Sequence, residues 1–236
     1  MPVFVPSPNF DVRSGPPDMV VLHYTDMEDA AGAQAWLCNP ESRVSAHYLI
    51  GADGKVTQMV REEDRAWHAG VSHWDGSSDV NSRSIGIELD SPGHRPGPPS
   101  FPAAQMAALL TLLEAICSRW SIAPRNVVAH SDVAPLRKID PGEGFPWSQL
   151  IEAGLALGVK AVPPADDVTA PSLFAALNRC GYKMPDDDAE AAALVRAFHR
   201  RMRPDAVDAQ ADGLTLALAR AFADAVAADR AADPHR

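Results

Sequence analysis

Short apolar runs alternate with amphipathic stretches along most of the chain, and only amphipathic stretches follow after about residue 163. Met19-Val20-Val21-Leu22-His23 is a short, continuous apolar run of the kind that forms a buried strand. Thr25 with Glu28 three residues on reads as a capping box, so a helix is expected from there to about Leu37. Ala46-His47-Tyr48-Leu49-Ile50 and Lys55-Val56-Thr57-Gln58-Met59-Val60 flank Ala52-Asp53-Gly54, a hairpin signal. Ser84-Ile85-Gly86-Ile87-Glu88-Leu89 alternates like a strand. Met106, Leu109, Leu110, Leu113, Ile116, Cys117 and Trp120 follow helical spacing, which predicts an amphipathic helix from Pro102 to Trp120, opened by that proline. Val127-Val128-Ala129-His130 is another short buried strand. Strands and helices in this order predict an α/β domain, a mixed central β-sheet flanked by helices.

Breakers divide the chain twice. Ser91 to Pro99 is a loop rich in proline and glycine. Val162-Pro163-Pro164-Ala165-Asp166-Asp167 reads as a linker. Beyond it come three helical stripes: Leu173, Phe174 and Leu177; Leu194, Val195, Phe198 and Met202; Leu214, Leu218 and Phe222. They predict a small C-terminal three-helix bundle. The expected organisation is a catalytic domain over 1–162, a linker over 163–171 and a helical domain over 172–230.

Charge narrows the function classes. With 31 acidic and 21 basic side chains the formal net charge is −10, the wrong sign for a protein whose main partner is nucleic acid. The arginines at 196, 200, 201 and 203 lie among acids such as Asp205 and Asp208, and are expected on a solvated helix face. No apolar run approaches the ~18 residues of a membrane span. The stretch Met1 to Pro8 has neither a basic nor an apolar region of an export signal, and the three cysteines form no disulfide framework. A cytoplasmic setting with reduced thiols is therefore expected. Cys38 and Cys117 fall at apolar helical positions and read as small core hydrophobes.

Two histidines, His23 and His130, close predicted strands, where open α/β sheets deliver side chains to a crevice. Asp140 follows in Arg137-Lys138-Ile139-Asp140-Pro141-Gly142. Two imidazoles and a carboxylate can hold a catalytic zinc with its fourth position left for water. Spacing alone does not decide this. There is no H-E-x-x-H helix and no C-x-x-C pair, and a strand-end histidine is commonly a hydrogen-bonded structural residue.

The order of several blocks carries more information. They are His23-Tyr24-Thr25; Val44-Ser45-Ala46-His47-Tyr48-Leu49-Ile50 with Asp53-Gly54; Ala66-Trp67-His68-Ala69-Gly70-Val71-Ser72; Asn81 with Ser84-Ile85-Gly86-Ile87-Glu88; and Ala129-His130-Ser131-Asp132 through Lys138-Ile139-Asp140-Pro141-Gly142. Together they resemble the zinc-dependent N-acetylmuramoyl-L-alanine amidases, whose fold is shared with phage lysozyme-type amidases and peptidoglycan recognition proteins. The tail, with Gly181-Tyr182, Val195-Arg196-Ala197-Phe198-His199 and Leu214-Thr215-Leu216-Ala217, resembles a peptidoglycan-binding-type domain. The combination is similar to the branch acting on anhydro-muropeptides.

The resemblance implies zinc (Zn2+) on His23, His130 and Asp140, with Glu88 as general acid/base and Lys138 as the cation that polarises the reacting carbonyl. The residues themselves leave Glu88 open as a strand-end surface carboxylate and Lys138 as a solvated loop cation. Family members of the phage type place a tyrosine where this chain has Ala46, so no hydroxyl helper is expected there, and His47 is expected behind the site. His68 and Ala69 are expected in a loop lining the sugar or peptide cleft. Asn81 is a substrate contact or a brace for its own loop, and Arg137 a clamp for a peptide carboxylate or a solvent-facing cation. His73, His94, His199 and His235 are expected at the surface. The implied activity is hydrolysis of the amide between the lactyl group of (1,6-anhydro-)N-acetylmuramic acid and L-alanine, in peptidoglycan recycling. The implied partners are peptidoglycan fragments, the anhydro-muropeptides. A non-catalytic muropeptide sensor and a phage-type lysin acting on intact wall stand as the alternatives.

Overall fold

A computed structural model describes residues 2–95 and 97–232. In chain order the elements are β1 (Val3–Phe4), β2 (Phe10–Val12), β3 (Met19–Tyr24), α1 (Ala30–Leu37), β4 (Tyr48–Ile50), β5 (Val56–Gln58), β6 (Asp64–Ala66), α2 (Val80–Arg83), β7 (Ser84–Leu89), α3 (Ala103–Trp120), β8 (Val127–Ala129), α4 (His130–Val133), α5 (Trp147–Glu152), α6 (Ala170–Cys180), α7 (Asp188–Met202) and α8 (Gly213–Ala232). The apolar run of β3 makes it an inner strand, parallel to β7 on one side and β8 on the other. Such a strand is covered on both faces, so it needs no polar alternation. The sheet order is β1-β5-β4-β7-β3-β8, and only β4 and β5 pair antiparallel. Their connection is the expected hairpin, with Gly54 at φ 83°, a backbone region that favours glycine. A separate ribbon pairs β2 with β6.

Alternation along β3 and β7 divides the core. Val20, Leu22, Ile85, Ile87 and Leu89 point to one face, where Leu109, Leu113 and Ile116 of α3 cover them together with Phe145 and Trp147. Met19 and Val21 point to the other face with Val128. Helix α1 packs Ala33 and Leu37 against Leu49 and Met59 as a smaller cluster.

The three tail helices form as the periodicity predicts, but they do not close on themselves alone. Leu173, Leu177, Leu194, Phe198, Leu218 and Phe222 share one buried cluster with Met19, Val21, Val128 and Val133. The tail is the second covering layer of the sheet.

Several expectations need correction. Helix α1 begins at Ala30 rather than near Thr25, and Asp29 is its cap, accepting from the Gly32 amide. Thr25 is used elsewhere: its hydroxyl donates to the Ser91 carbonyl and accepts from the Ser91 amide, joining the ends of two strands. Arg201 is not on a solvated face. It is buried, its guanidinium 4.0 Å from the Trp147 ring centre and 5.1 Å from that of Phe222. A guanidinium stacks well on aromatic faces, and this one joins the tail to the sheet domain. His199 is buried too, with Nε2 2.9 Å from the Thr215 hydroxyl. His73 and His94 are half-buried, and His94 links Tyr24 to Glu143. His235 lies outside the described residues. Cys38 and Cys117 are half-buried against apolar clusters.

Candidate metal centre

The adjacent parallel strands β3 and β7 set His23 directly beside Glu88 in register. Both side chains leave the sheet on the face of Val21, because Ile85, Ile87 and Leu89 take the opposite one. Strand β8 ends where α4 begins, and His130 is the first residue of that helix. The loop after α4 returns so that the Ser131 amide donates to the Asp140 carbonyl at 3.0 Å, which carries the Asp140 side chain back to His130.

Three buried groups converge there. His23 Nδ1 lies 2.8 Å from His130 Nδ1 and 3.2 Å from Asp140 Oδ2, and His130 Nδ1 lies 2.9 Å from the same oxygen. All three are buried, and the ligand atoms lie within 4.8 Å of one another. His130 Nε2 sits 3.2 Å from the Ala69 carbonyl, which only accepts, so this nitrogen carries the hydrogen and Nδ1 keeps its lone pair. Burial first, and the neighbouring His130 second, push His23 down to about 4, so its imidazole is neutral at pH 7. Burial alone would raise the Asp140 carboxyl. The neighbouring imidazoles, His130 before His23, outweigh it and hold Asp140 well below the usual carboxylate range. Electron-rich atoms at such separations need a proton or a metal cation among them. Imidazole nitrogen and carboxylate oxygen are the donor types that zinc takes. The residues present therefore fit a divalent metal.

The group faces a cavity of about 420 Å³ lined in part by Trp36, Trp67, Glu88, Arg137 and Lys138. Glu88 is half-buried in its wall, and Oε2 is buried with no hydrogen-bond partner among the described residues. Burial, then the Asp140 charge, raise its carboxyl well above the usual range, while Lys138 opposes them.

The chain belongs to the N-acetylmuramoyl-L-alanine amidase family. The family model matches residues 13–143, which span every group just described. The amidase AmiD of Escherichia coli is 37% identical over 227 residues, covering 86% of this chain and 81% of its own. Its solved complex with anhydro-N-acetylmuramic acid-L-Ala-D-gamma-Glu-L-Lys superposes with a TM-score of 0.82, over 89% of this chain and 90% of that one. The 1,6-anhydro-N-acetylmuramyl-L-alanine amidase AmpD of Haemophilus influenzae is 34% identical over 63% of this chain and 90% of its own.

In this amidase the other expected contacts are mostly internal. Both His68 ring nitrogens are engaged by protein, Nδ1 at 3.0 Å from His23 Nε2 and Nε2 at 3.1 Å from Ser84 Oγ. His68 also lines the cavity, as expected. The Ala69 carbonyl receives His130 and Arg137. Asn81 braces its loop, Oδ1 accepting from the His68 and Ala69 amides at 3.1 and 2.8 Å. Arg137 reaches the Ala69 and Val71 carbonyls yet stays exposed on the cavity wall. His47 lies behind the site, as expected: it is buried, and Nδ1 accepts from the Gly86 amide at 2.9 Å. Ser84 was not singled out by sequence reasoning. The signal available was Ser84-Ile85-Gly86-Ile87-Glu88, whose small and polar members share the site's face.

Proposed function

We propose that this protein is a zinc-dependent amidase that hydrolyses the bond between the lactyl group of 1,6-anhydro-N-acetylmuramic acid and L-alanine in soluble peptidoglycan fragments. The observation that carries the reading is the meeting of three buried ligand atoms in a cavity that Glu88 also lines, its Oε2 without a hydrogen-bond partner among the described residues. The named substrate of the E. coli relative, and the name of the H. influenzae one, support the choice of bond.

His23, His130 and Asp140 would hold the zinc. When bound, zinc supplies Lewis acidity, which draws the pKa of a water from roughly 15.7 to about 7. The remaining work falls to the chain. The Glu88 carboxylate, on the cavity wall, would accept a proton from the attacking water and return it to the leaving nitrogen of L-alanine. Its raised pKa keeps the protonated form accessible for that return. The Lys138 ammonium, on the wall of the same cavity, complements the negative charge that develops on the carbonyl oxygen. Hydrolysis then breaks the C–N bond, leaving OH on the lactyl carbonyl carbon and H on the amine of L-alanine.

Incubation with defined anhydro-muropeptides and, separately, with sacculi, read by mass spectrometry, tests the reading. Release of the peptide from soluble fragments supports it. Release from sacculi alone favours a wall lysin, and binding without product a sensor. No helix among the described residues is long and apolar enough to cross a membrane. The cytoplasmic setting expected above belongs to the same proposal, and fractionation of cells carrying the full-length protein tests it.

A further inference from the structure

A neutral imidazole offers Nδ1 to a metal only when its ring hydrogen sits on Nε2. For His130 the Ala69 carbonyl decides the matter. For His23 the partner at Nε2 is a second imidazole, His68 Nδ1 at 3.0 Å, which is able to donate or to accept. The answer lies one link further out. Ser84 has one hydroxyl hydrogen, and the Val80 carbonyl, 2.6 Å away, can only accept it. Ser84 Oγ therefore meets His68 Nε2, at 3.1 Å, as an acceptor. His68 must carry its hydrogen on Nε2, which leaves a lone pair at Nδ1, and His23 Nε2–H donates to it.

We infer that the Val80 carbonyl, Ser84 and His68 form a tautomer lock that fixes the His23 hydrogen on Nε2 and reserves Nδ1 for the metal. His68 and Ser84 are thus positioning residues, acting through His23, and the inference rests on the metal reading above.

The packing around the lock agrees with this use. Ser84 is fully buried and His68 is 9% exposed, so solvent does not offer alternative partners. The His68 ring stands edge-on to His23, their centres 5.1 Å apart and their planes at 84°. It lies over Gly86, where any β-carbon would run into the ring. The Asn81 side chain holds the His68 and Ala69 amides, so one loop carries both the lock and the carbonyl that orients His130. Groups one shell out from a metal commonly set the tautomer of its ligands, and their loss costs about 10–100-fold in metal affinity.

Long-range proton–nitrogen NMR of the metal-free, 15N-labelled protein reads the tautomers directly. The expected result is a hydrogen on Nε2 of both His23 and His68. A hydrogen on His68 Nδ1, or a His23 ring that carries none on Nε2, overturns the lock. Zinc affinity, measured by competition with a chromogenic chelator, gives an independent readout. His68→Phe keeps a ring but no acceptor and should bind zinc about 10–100-fold more weakly, whereas His68→Gln, whose amide oxygen accepts, should recover part of the loss. A His68→Phe protein with parent-like circular dichroism and parent-like zinc affinity overturns the lock. If the parent itself binds no zinc, the metal reading fails, while the tautomer spectrum still judges the lock.

Discussion

The Tyr182 hydroxyl donates to Asp132 Oδ1 at 2.5 Å, and both groups are buried. Tyr182 follows α6 in the tail, while Asp132 sits on the short helix that begins with His130. The other Asp132 oxygen accepts from the Ala129 amide at 2.9 Å, with Arg201 Nη1 3.5 Å away. The tail thus grips the helix that carries His130. Tyr182→Phe removes the donor and leaves the ring. Hydrogen bonds to charged groups contribute about 1.5–3 kcal/mol, so a stability loss of that size is expected. Urea denaturation should show a lower midpoint with an unchanged slope. An unchanged midpoint would show that the contact contributes nothing.

Glu88→Gln tests the proton carrier. General acid–base groups typically contribute 10²–10⁴-fold, so kcat should fall by about that factor while zinc content stays the same. Metal analysis beside the kinetics separates the outcomes. Loss of zinc would make Glu88 a ligand, and parent-like turnover would remove it from the reaction.

Zinc removal should abolish turnover, and zinc added back should restore it. Because the site is assembled only in the folded chain, zinc should also raise the melting temperature. The expected gain is about 2.7 kcal/mol at a free zinc concentration 100 times the dissociation constant. Turnover that survives exhaustive chelation contradicts the metal mechanism.

Acid should destabilise the protein partly through His47. Burial first, and the Arg13 guanidinium second, push this imidazole down from 6.5 to about 3. On acidification the unfolded chain therefore takes up the proton first. The contribution of His47 is complete above about pH 6.5 and is lost progressively as pH falls towards 3. His47→Gln should cost more stability near neutrality than in mild acid, as read by denaturation at both. A cost independent of pH would refute the assignment.

Much of the framework is legible in the residue pattern because the signals are long or undiluted. Strand β3 is an unbroken apolar run, α3 repeats its apolar face over 18 residues, and the hairpin carries Asp53-Gly54 between two strand patterns. The strands β1, β2 and β6 have two or three residues each, and α2 and α4 four, too few to display a period. Thr25 carries a good capping pattern but spends its hydroxyl on Ser91, a partner far along the chain. Glu88 is ambiguous by alternation alone, since only its register against His23 tells which face is functional. Arg201 resembles a surface cation until Trp147 and Phe222 arrive from other segments. The grouping of His23, His130 and Asp140 needed the ordered blocks of the resemblance, because nothing local links His23 to residues more than a hundred positions away.

The buried cluster that joins Met19, Val21 and Val128 to the tail helices has a consequence for how such proteins can be cut and recombined. Cleavage after the linker at 162–167 would bare a greasy floor directly beneath His23. The final third of the polypeptide is thus no interchangeable cassette: a lineage could shed it only by repainting the underside of the sheet with hydrophilic side chains in the same stroke.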